Sequence, residues 1–515
     1  MMNEIDALAS LVGVFAVYVC RTASKLTPKR KAQMLFLLIA TNASVATLMA
    51  EKEDEERKRR ELIHSAVESV YTEFWSKNRK KRSTTTGDEG QEIATSNKKR
   101  RPTKHDHERA WQCIQQDYLG PEPIFTDKQF EEVYRLTKRK VNQLIDECCR
   151  HRPDCFGRDI KDATGKSGIR VECKVLGILK CVAFGCSGVA FRDYHQMAGN
   201  TFTVNLKAFF DAITRDDYLK GTYLRSPNKC DAMSVCELHR KKHNVEGLLG
   251  CIDCYHWMWK NCPVAQQCHY KNGKNKMSSV VLEAMVDHNT WFWHASFGHA
   301  GTNNDINIWD VSELQADFMS SFFHEVIDFP FTMDGERFDR LWCLVDGIYP
   351  PLNRFVKTIS QPVGETMERF VGWQESARKD VERAFGILVR KFQILSRPCE
   401  YWYVDDMKSI MYGCIIMHNM MVEDRLDRDE AECADMYAVE MNSEDDPAER
   451  EATLERVVSD NTGLRPPEDK IDSQYETQLK RWEALYDERE HIRLQTAVMN
   501  HLVQQYISHQ ENKFD

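Results

Sequence analysis

Four short segments between residues 250 and 392 each carry an acidic residue in or beside an apolar run. Asp253 lies within one run, Asp305 and Asp346 follow two others, and Glu382 falls in a helical pattern. A carboxylate on an interior strand needs a compensating partner, and a metal ion is one. Any one of these acids alone is explained as a surface or capping carboxylate. Four together favour a common site, because carboxylates from separate elements can hold two divalent ions for phosphoryl transfer.

The apolar pattern from residue 245 to residue 422 predicts an α/β domain. Its predicted strands and helices are, in order, strands at Leu248 to Trp257, Met277 to Asp287 and Thr290 to Phe297, a helix at Val311 to Phe322, a strand at Trp342 to Val345, and helices at Glu375 to Phe392 and Asp405 to Val422. Three strands, a helix, a strand and a helix match the order of a ribonuclease-H-like core. Asp346 then follows the fourth strand, at the strand end where sites in open α/β sheets lie.

The length of 515 residues and the changes in composition predict several parts. These are a helical N-terminal region (1–75), a basic disordered linker (76–124), a helical domain with a helix-turn-helix pattern (125–244), the ribonuclease-H-like α/β domain (245–422), an acidic disordered segment (423–470) and a C-terminal helix (471–515). The C-terminal helix has an apolar seam that fits packing on the core or pairing with a partner.

Charge is distributed unevenly along the chain, although the net charge is only −9. Residues 76–104 hold ten Lys and Arg against three Asp and Glu, whereas residues 423–450 hold twelve Asp and Glu against three Arg. Two basic clusters, Lys77 to Arg82 and Lys98 to Arg101, fit a solvated linker, a phosphate-binding arm or a nuclear localisation signal. We favour the last and expect the protein in the nucleus.

A helix-turn-helix pattern precedes the predicted α/β domain. Residues 190–197 predict a short helix, residues 198–200 a turn, and residues 201–210 a second, N-capped helix. Ordinary helix packing explains such a pattern equally well. If the region binds DNA, the side chains expected to face the groove are those of Thr201, Thr203, Asn205 and Lys207.

Neither cysteines nor apolar runs indicate secretion or membrane insertion. The 18 Cys residues are scattered, and several lie inside apolar runs, which is typical of reduced thiols. The run from Leu8 to Cys20 is too short to span a bilayer, and Ala32 to Ala50 reads as a packed helix. Cys251 and Cys254 have zinc-knuckle spacing, but a strand would point them to opposite faces. We therefore expect no zinc site there and no membrane association.

Six motifs carry a family resemblance. The chain resembles the PIF/Harbinger group of eukaryotic cut-and-paste transposases, and within it the branch called plant transposon proteins. The resemblance covers roughly residues 125–424. Its motifs are IDCYHWMWKNCP (252–263), FGHAGTNNDINI (297–308), VDGIYP (345–350), FVKTI (355–359), ARKDVERAFG (377–386) and IMHNMMVED (416–424).

The resemblance implies a DDE nuclease that cuts and joins DNA with Mg²⁺ or Mn²⁺, two ions in all. Carried over by motif, the catalytic triad is Asp253, Asp346 and Glu382, and these acids bind the metal. Asp305 also falls on a family acid, and it competes with Asp346 for the second place in the triad. Strand order favours Asp346, with Asp305 as a supporting acid at the edge of the metal site.

Further partners follow from the same resemblance. The expected substrate is double-stranded DNA at the transposon's terminal repeats and at the target site. A Myb-like companion protein and a homo-oligomer are expected as well. Arg378, Lys379 and Arg383 flank Glu382 and could hold phosphates, or they could be a solvated helix face. His256 could orient Asp253, contact DNA, or simply pack at the strand end.

Two rival functions stay open from the sequence. The first is a domesticated, catalytically silent DNA-binding nuclear protein derived from a transposase. The second is a different two-metal enzyme, such as a hydrolase of small phosphate esters. The helix-turn-helix pattern and the basic arm argue against the second rival, and the four intact acids argue against the first.

Overall fold

A computed structural model describes residues 105–440 and 480–511 of the chain. Short stretches within that range are excluded, namely 159, 162–164, 166, 216–217, 272–276 and 321–322. Side chains are described up to residue 429 and, in the C-terminal helix, up to residue 507. The described residues all belong to one compact unit. The predicted N-terminal helical region and both basic clusters lie outside the described residues.

A five-stranded mixed sheet lies at the centre of the unit. Its strands are β1 (Leu248–Met258), β2 (Ser279–Val286), β3 (Phe292–Ala300), β6 (Trp342–Val345) and β7 (Phe355–Lys357). Their order across the sheet is β3-β2-β1-β6-β7. The first three strands run antiparallel, whereas β6 is parallel to β1 and to β7. A separate hairpin, β4 (Phe331–Met333) and β5 (Glu336–Phe338), precedes β6.

Helices surround this sheet and build most of the rest of the unit. Those before it are α1 (His107–Ile114), α2 (Asp127–Tyr134), α3 (Lys138–His151), α4 (Pro153–Phe156), α5 (Val171–Phe184), α6 (Arg192–His195), α7 (Gly199–Ile213), α8 (Leu219–Tyr223) and α9 (Lys229–His243). Those within and after it are α10 (Gln267–Tyr270), α11 (Asp305–Trp309), α12 (Glu313–Met319), α13 (Glu365–Lys391), α14 (Val404–Glu440) and α15 (Glu488–Glu511).

Local sequence explains several helix starts. Thr126 begins α2 with a capping box completed by Gln129, and Asn228 begins α9 with one completed by Asp231. The helix α9 ends at Asn244, which takes the left-handed conformation (φ 56°) that Asn tolerates well. These caps fix where α9 stops, just before β1 begins at Leu248.

The sheet is buried on both faces. All eight residues of β2 and all four residues of β6 are buried, as expected for strands that read as continuous apolar runs. Helix α13 packs on β1, and α14 packs on β3 and on α7. One hydrophobic core extends without interruption from Ala110 in α1 to Val498 in α15. The fold is therefore mixed α/β.

The C-terminal helix completes this core. Leu494 and Val498 of α15 are buried, and the helix packs against α13 and β7. The Nδ1 of His491 lies 2.9 Å from the carbonyl oxygen of Phe355 in β7. The apolar seam of this helix fitted either packing on the core or pairing with a partner, and the structure shows packing on the core.

Three boundaries expected from the sequence need correction. The predicted disordered linker (76–124) is wrong for its last part, because α1 is helical and buries Ala110 and Ile114; residues 76–104 lie outside the described residues. The predicted acidic disordered segment (423–470) is wrong for its first part, because α14 continues to Glu440 and Asp424 bonds to Thr137 and Arg139; the rest of it lies outside the described residues. The predicted helix at 311–322 is instead α12, preceded by the separate short helix α11. The division between domains at residue 244 stays a prediction.

Within the described residues, no helix has the length and apolar character needed to cross a membrane.

Candidate active site

Asp253 and Asp346 lie on neighbouring parallel strands. Cys251 of β1 pairs with Leu344 of β6, and two residues farther along each strand come Asp253 and Asp346. Asp346 lies one residue beyond the end of β6, and extending the register to it would bring the two acids level on one face of the sheet. The side-chain oxygen of Asp346 accepts a 2.7 Å hydrogen bond from the Gly347 amide, which holds it in the turn after β6.

Glu382 reaches the same face from α13, which packs across β1. Odd-numbered residues of β1 contact this helix, since Cys251 Sγ lies 3.5 Å from the Ala377 carbonyl oxygen and the Tyr255 and Phe385 rings are 5.6 Å apart. Asp253 is on that odd-numbered side. Asp253 and Glu382 line a common cleft of about 570 Å³.

Arg378 bridges these two acids. One of its terminal nitrogens lies 3.0 Å from an oxygen of Asp253, and the other lies 3.2 Å from an oxygen of Glu382, one turn along α13. The Arg378 side chain is only 16% exposed. The sequence predicted that Arg378 contacts a phosphate. In the structure its guanidinium is instead paired with Asp253 and Glu382, so it is not free for that contact.

Asp305 approaches from the opposite side of β1. It is the first residue of α11, after the cap Asn304. It is hydrogen-bonded to the Cys254 thiol, and Cys254, on the even-numbered side of β1, also contacts the hydroxyl of Tyr349 at 3.7 Å. Gly301 makes the preceding turn possible, because a Cβ at this position would lie 2.4 Å from the Ser279 carbonyl oxygen.

Burial, and to a smaller extent repulsion between acids, raises the pKa of Asp253 and of Asp305. Burial raises the pKa of Asp253 to about 6, with the charges of Asp305 and Glu382 adding to the rise while the Cys254 amide and Arg378 oppose it. Burial also raises the pKa of Asp305, and the charge of Asp346 adds to it. The four acids therefore act on one another, and adding a cation would relieve the repulsion.

The donor set fits Mg²⁺ or Mn²⁺, which prefer carboxylate oxygens. The spacing in the structure is wider than a closed site. Among the described residues, no three of these acids bring ligand atoms within 4.8 Å of one another. Arg378 supplies the positive charge between Asp253 and Glu382 instead.

The remaining basic candidates on α13 divide into two groups. Arg383 lies 3.1 Å from Asp380 and donates to the His288 carbonyl oxygen, so it faces the turn between β2 and β3. Its expected phosphate contact is corrected for that reason. Lys379 is exposed, as a phosphate contact requires.

His256 belongs to the opposite side of β1 from Asp253. Its Nδ1 lies 3.0 Å from the Ser279 hydroxyl. Its charge acts on Asp305, whose pKa it lowers against the larger effect of burial. Of the three roles considered for His256, packing at the strand end agrees best with this contact.

The helix-turn-helix candidates are only partly accessible. Helix α7 begins at Gly199, and the preceding residue, Ala198, makes no side-chain hydrogen bond to the helix. The prediction of an N-capped second helix is therefore wrong. Asn205 is 5% exposed and faces the core, which rules out a groove contact. Lys207 is paired with Asp406 of α14 at 2.6 Å. Thr203 is exposed and Thr201 is partly exposed.

Sequence reasoning missed Cys254, Tyr349 and Lys357 as neighbours of the acids. Cys254 donates its amide to Asp253 at 2.8 Å and its thiol to Asp305, so it connects the two faces of β1. Burial lowers the pKa of Lys357, and the charge of Asp346 partly restores it. The motifs containing Cys254 and Lys357 were noted, but nothing in their spacing reveals these contacts.

Comparison with known proteins agrees with the sequence motifs. The family described as plant transposon protein matches residues 221–429, a stretch from α8 to α14 that includes the whole sheet and all four acids. No curated protein and no solved structure matched the chain. The match supports a relation to transposon proteins over these residues.

Proposed function

We propose that the chain is a DDE transposase of the PIF/Harbinger type, which cleaves and joins DNA phosphodiesters at transposon ends. The observation that carries the proposal is that Asp253 of β1 and Glu382 of α13 line one cleft, while Asp346 follows β6, the strand paired with β1. The family match to a plant transposon protein supports the same substrate class.

The order of the sheet supports a ribonuclease-H-like core. Three antiparallel strands in chain order are followed, on the other side of β1, by two parallel strands. The hairpin of β4 and β5 lies outside this sheet, so β6 is its fourth strand. Asp346 therefore follows the fourth strand of the sheet, which is the place expected for the second acid.

The alternation of side chains along β1 favours Asp346 over Asp305 as that second acid. Asp253 and Glu382 line the cleft beneath α13, and Asp346 would face the same side if the pairing of β1 with β6 extended to residue 346. Asp305 is bonded to Cys254, on the other side. We therefore assign Asp305 as a supporting acid that acts on Asp253 and Asp346 through its charge.

The three acids of the shared face would hold Mg²⁺ or Mn²⁺. When bound, such ions activate water for attack on a phosphodiester and stabilise the leaving 3′ oxygen. The chain's own residues then have separate tasks. Asp253 on β1 and Asp346 in the turn after β6 would each supply a carboxylate, Glu382 would add a third from α13, and Arg378 would have to release Asp253 for a cation to bind there.

DNA contacts outside the cleft would come from exposed residues. Lys379 on α13 and Thr201 and Thr203 on α7 remain the candidates among those expected from the sequence. Nuclear localisation, a Myb-like companion protein and a homo-oligomer belong to the same proposal, since cutting two transposon ends requires access to chromosomal DNA and an assembly that holds both ends.

The bridge made by Arg378 favours a second candidate function. A guanidinium that neutralises Asp253 and Glu382 is what a domesticated, catalytically silent DNA-binding protein would retain. In that case Mg²⁺ would not displace Arg378, and the fold would serve for binding alone.

A cleavage assay separates the two functions. Full-length protein is incubated with Mg²⁺ and a labelled duplex carrying the terminal repeats of the element that encodes it. We expect strand cleavage by the native chain and none by Glu382→Gln. Sequence-specific binding without cleavage, in Mg²⁺ and in Mn²⁺, would support the silent protein. Hydrolysis of small phosphate esters without action on DNA would contradict both.

A further inference from the structure

A second group of metal-binding side chains lies away from the acidic cleft. His243 at the end of α9, His288 in the turn between β2 and β3, and Asp380 on α13 each offer a ligand atom within 4.8 Å of the other two. The carboxylate oxygen Oδ2 of Asp380 lies 2.8 Å from Nδ1 of His288 and 3.3 Å from Nε2 of His243. The three residues come from elements far apart in sequence.

These separations are close to those of a tetrahedral zinc site. Zinc binds imidazole nitrogen and carboxylate oxygen at about 2.0–2.2 Å, so neighbouring ligand atoms are about 3.3 Å apart. One observed separation equals this value, and the other needs to widen slightly. The Asp380 side chain is 6% exposed, whereas those of His243 and His288 are 14% and 23% exposed, which leaves a route for an ion.

A third histidine points independently to a ligand. His239 is fully buried, and neither of its ring nitrogens has a hydrogen-bond partner in the described part of the protein. A buried imidazole without a partner is costly. Its ring stacks on that of His243 at 5.5 Å and lies 6.5 Å from that of His288.

The spacing of His239 and His243 is itself that of a metal-binding pair. Histidines four residues apart on a helix lie on one face, as in the helical zinc motif H-x-x-x-H. The sequence from His239 to His243 is HRKKH, at the end of α9. A change of side-chain rotamer would bring the free nitrogen of His239 towards the other three ligands.

Hydrogen bonding alone accounts for part of this arrangement. The second oxygen of Asp380, Oδ1, lies 3.1 Å from Arg383, and each imidazole can donate a proton to Oδ2. That explanation leaves both ring nitrogens of His239 without a partner. A bound cation explains all four side chains together, with Arg383 holding the carboxylate in position through its other oxygen.

We propose that His243, His288 and Asp380 bind a single Zn²⁺ ion, with His239 as the fourth ligand. The ion joins the end of α9 and the turn between β2 and β3 to the middle of α13. Its role is structural, since four protein ligands leave no open position. This site is separate from the acidic cleft, and its existence does not depend on whether the protein cuts DNA.

The test is metal content and stability of the full-length chain. Protein stripped with a chelator is reloaded with ZnCl2, desalted and analysed by mass spectrometry of the metal. We expect about one zinc per chain, a higher Tm after reloading, and, with Co²⁺ in place of Zn²⁺, the visible absorption of a tetrahedral ion. His243→Ala and Asp380→Asn should each lose the bound zinc and the gain in Tm.

Matched controls locate the ion. His324→Ala removes another histidine that pairs with an aspartate, since His324 Nδ1 lies 2.8 Å from Asp328, and it should keep the zinc. Asp346→Asn changes the acidic cleft and should also keep it. Native protein that takes up no zinc after stripping would overturn the proposal, even if the variants fail to fold. Zinc retained by both His243→Ala and Asp380→Asn would overturn it as well.

Discussion

Arg378 lies 3.0 Å from Asp253, so the most buried acid of the cleft is neutralised by a residue of the helix that carries Glu382. The guanidinium and a divalent cation compete for the same carboxylates. We expect Arg378→Met to lower Tm in EDTA, because the acids are left unpaired, and to show a larger rise in Tm with Mg²⁺ than the native chain.

A matched control for this test exists on the same helix. Arg369 pairs with Glu365 at 2.5 Å, four residues apart and far from the cleft. Arg369→Met should leave the Mg²⁺ response unchanged. An equal response in Arg378→Met and in the native protein would show that Arg378 does not compete with Mg²⁺.

Single substitutions distinguish the catalytic acids from the supporting one. Asp253→Ala, Asp346→Ala and Glu382→Ala should abolish strand cleavage, whereas Asp305→Ala should reduce it about 10–100-fold. DNA binding should persist in all four, because phosphate contacts lie on other residues. Cleavage by Asp346→Ala together with inactivity of Asp305→Ala would show that the second acid follows β3 instead.

Replacing an acid by cysteine gives an independent check on that assignment. A thiolate tolerates Mn²⁺ better than Mg²⁺. We expect Asp346→Cys to regain partial cleavage when Mn²⁺ replaces Mg²⁺, and Asp305→Cys to respond equally to both ions. The measurement is the ratio of cleavage rates in the two metals.

The corrected view of α7 separates a DNA contact from a core position. Thr203 is exposed, so Thr203→Glu should weaken DNA binding by placing a negative charge near phosphates. Asn205 is buried with its amide nitrogen unpaired. Asn205→Leu should keep DNA affinity and raise the free energy of unfolding by about 1 kcal/mol. Affinity lost in Asn205→Leu but kept in Thr203→Glu would reverse this view of the helix.

His195 should make the protein less stable in mild acid. Burial, together with a smaller effect of the nearby charge of Lys180, lowers the pKa of His195 to about 3. The unfolded chain binds a proton near pH 6.5 and the folded chain does not, so stability falls as pH drops below about 6.5. The slope from this group is about 1.4 kcal/mol per pH unit.

Urea unfolding at pH 7.5 and 5.5 measures this effect. His195→Leu should reduce the loss of stability between the two pH values by about 1 kcal/mol. The exposed His269 provides the control, and His269→Leu should leave the loss unchanged. An undiminished loss in His195→Leu would place the acid sensitivity on other groups.

Nuclear entry tests the two basic clusters. We expect a tagged protein with Lys77 to Arg82 and Lys98 to Arg101 changed to alanine to stay in the cytoplasm, while the native chain accumulates in the nucleus. Microscopy of both proteins, expressed without a companion protein, decides the matter. Nuclear entry of the double variant would mean that another segment carries the signal.

The local pattern of apolar residues predicted some strands correctly and missed others. Trp342 to Val345 was predicted with its observed ends, because a short apolar run between polar stretches is typical of a buried strand. The strand β7 and the hairpin of β4 and β5 were missed. Each of these strands has only three residues, and their pairing depends on partners distant in sequence.

Side-chain environment explains the remaining differences. The burial of Asn205 could have been found, since it lies three residues after Phe202 on the apolar stripe of α7. The pairing of Lys207 with Asp406 could not, because the two are 199 positions apart. The same holds for Arg378, whose contact with Asp253 depends on how α13 crosses β1. The buried face of a helix can be predicted from the sequence more readily than the residues against which that face packs.

The packing of α15 sets a limit on how the chain can be shortened. The stretch that matches the plant transposon protein family ends at residue 429, yet β7 and α13 are covered by a helix that starts 59 residues later, at Glu488. A fragment trimmed to residues 221–429 would expose apolar surface on both of these elements and would also lack α1–α7. Such a fragment would be expected to aggregate during expression, and a premature stop codon within the acidic segment would have the same consequence in the cell.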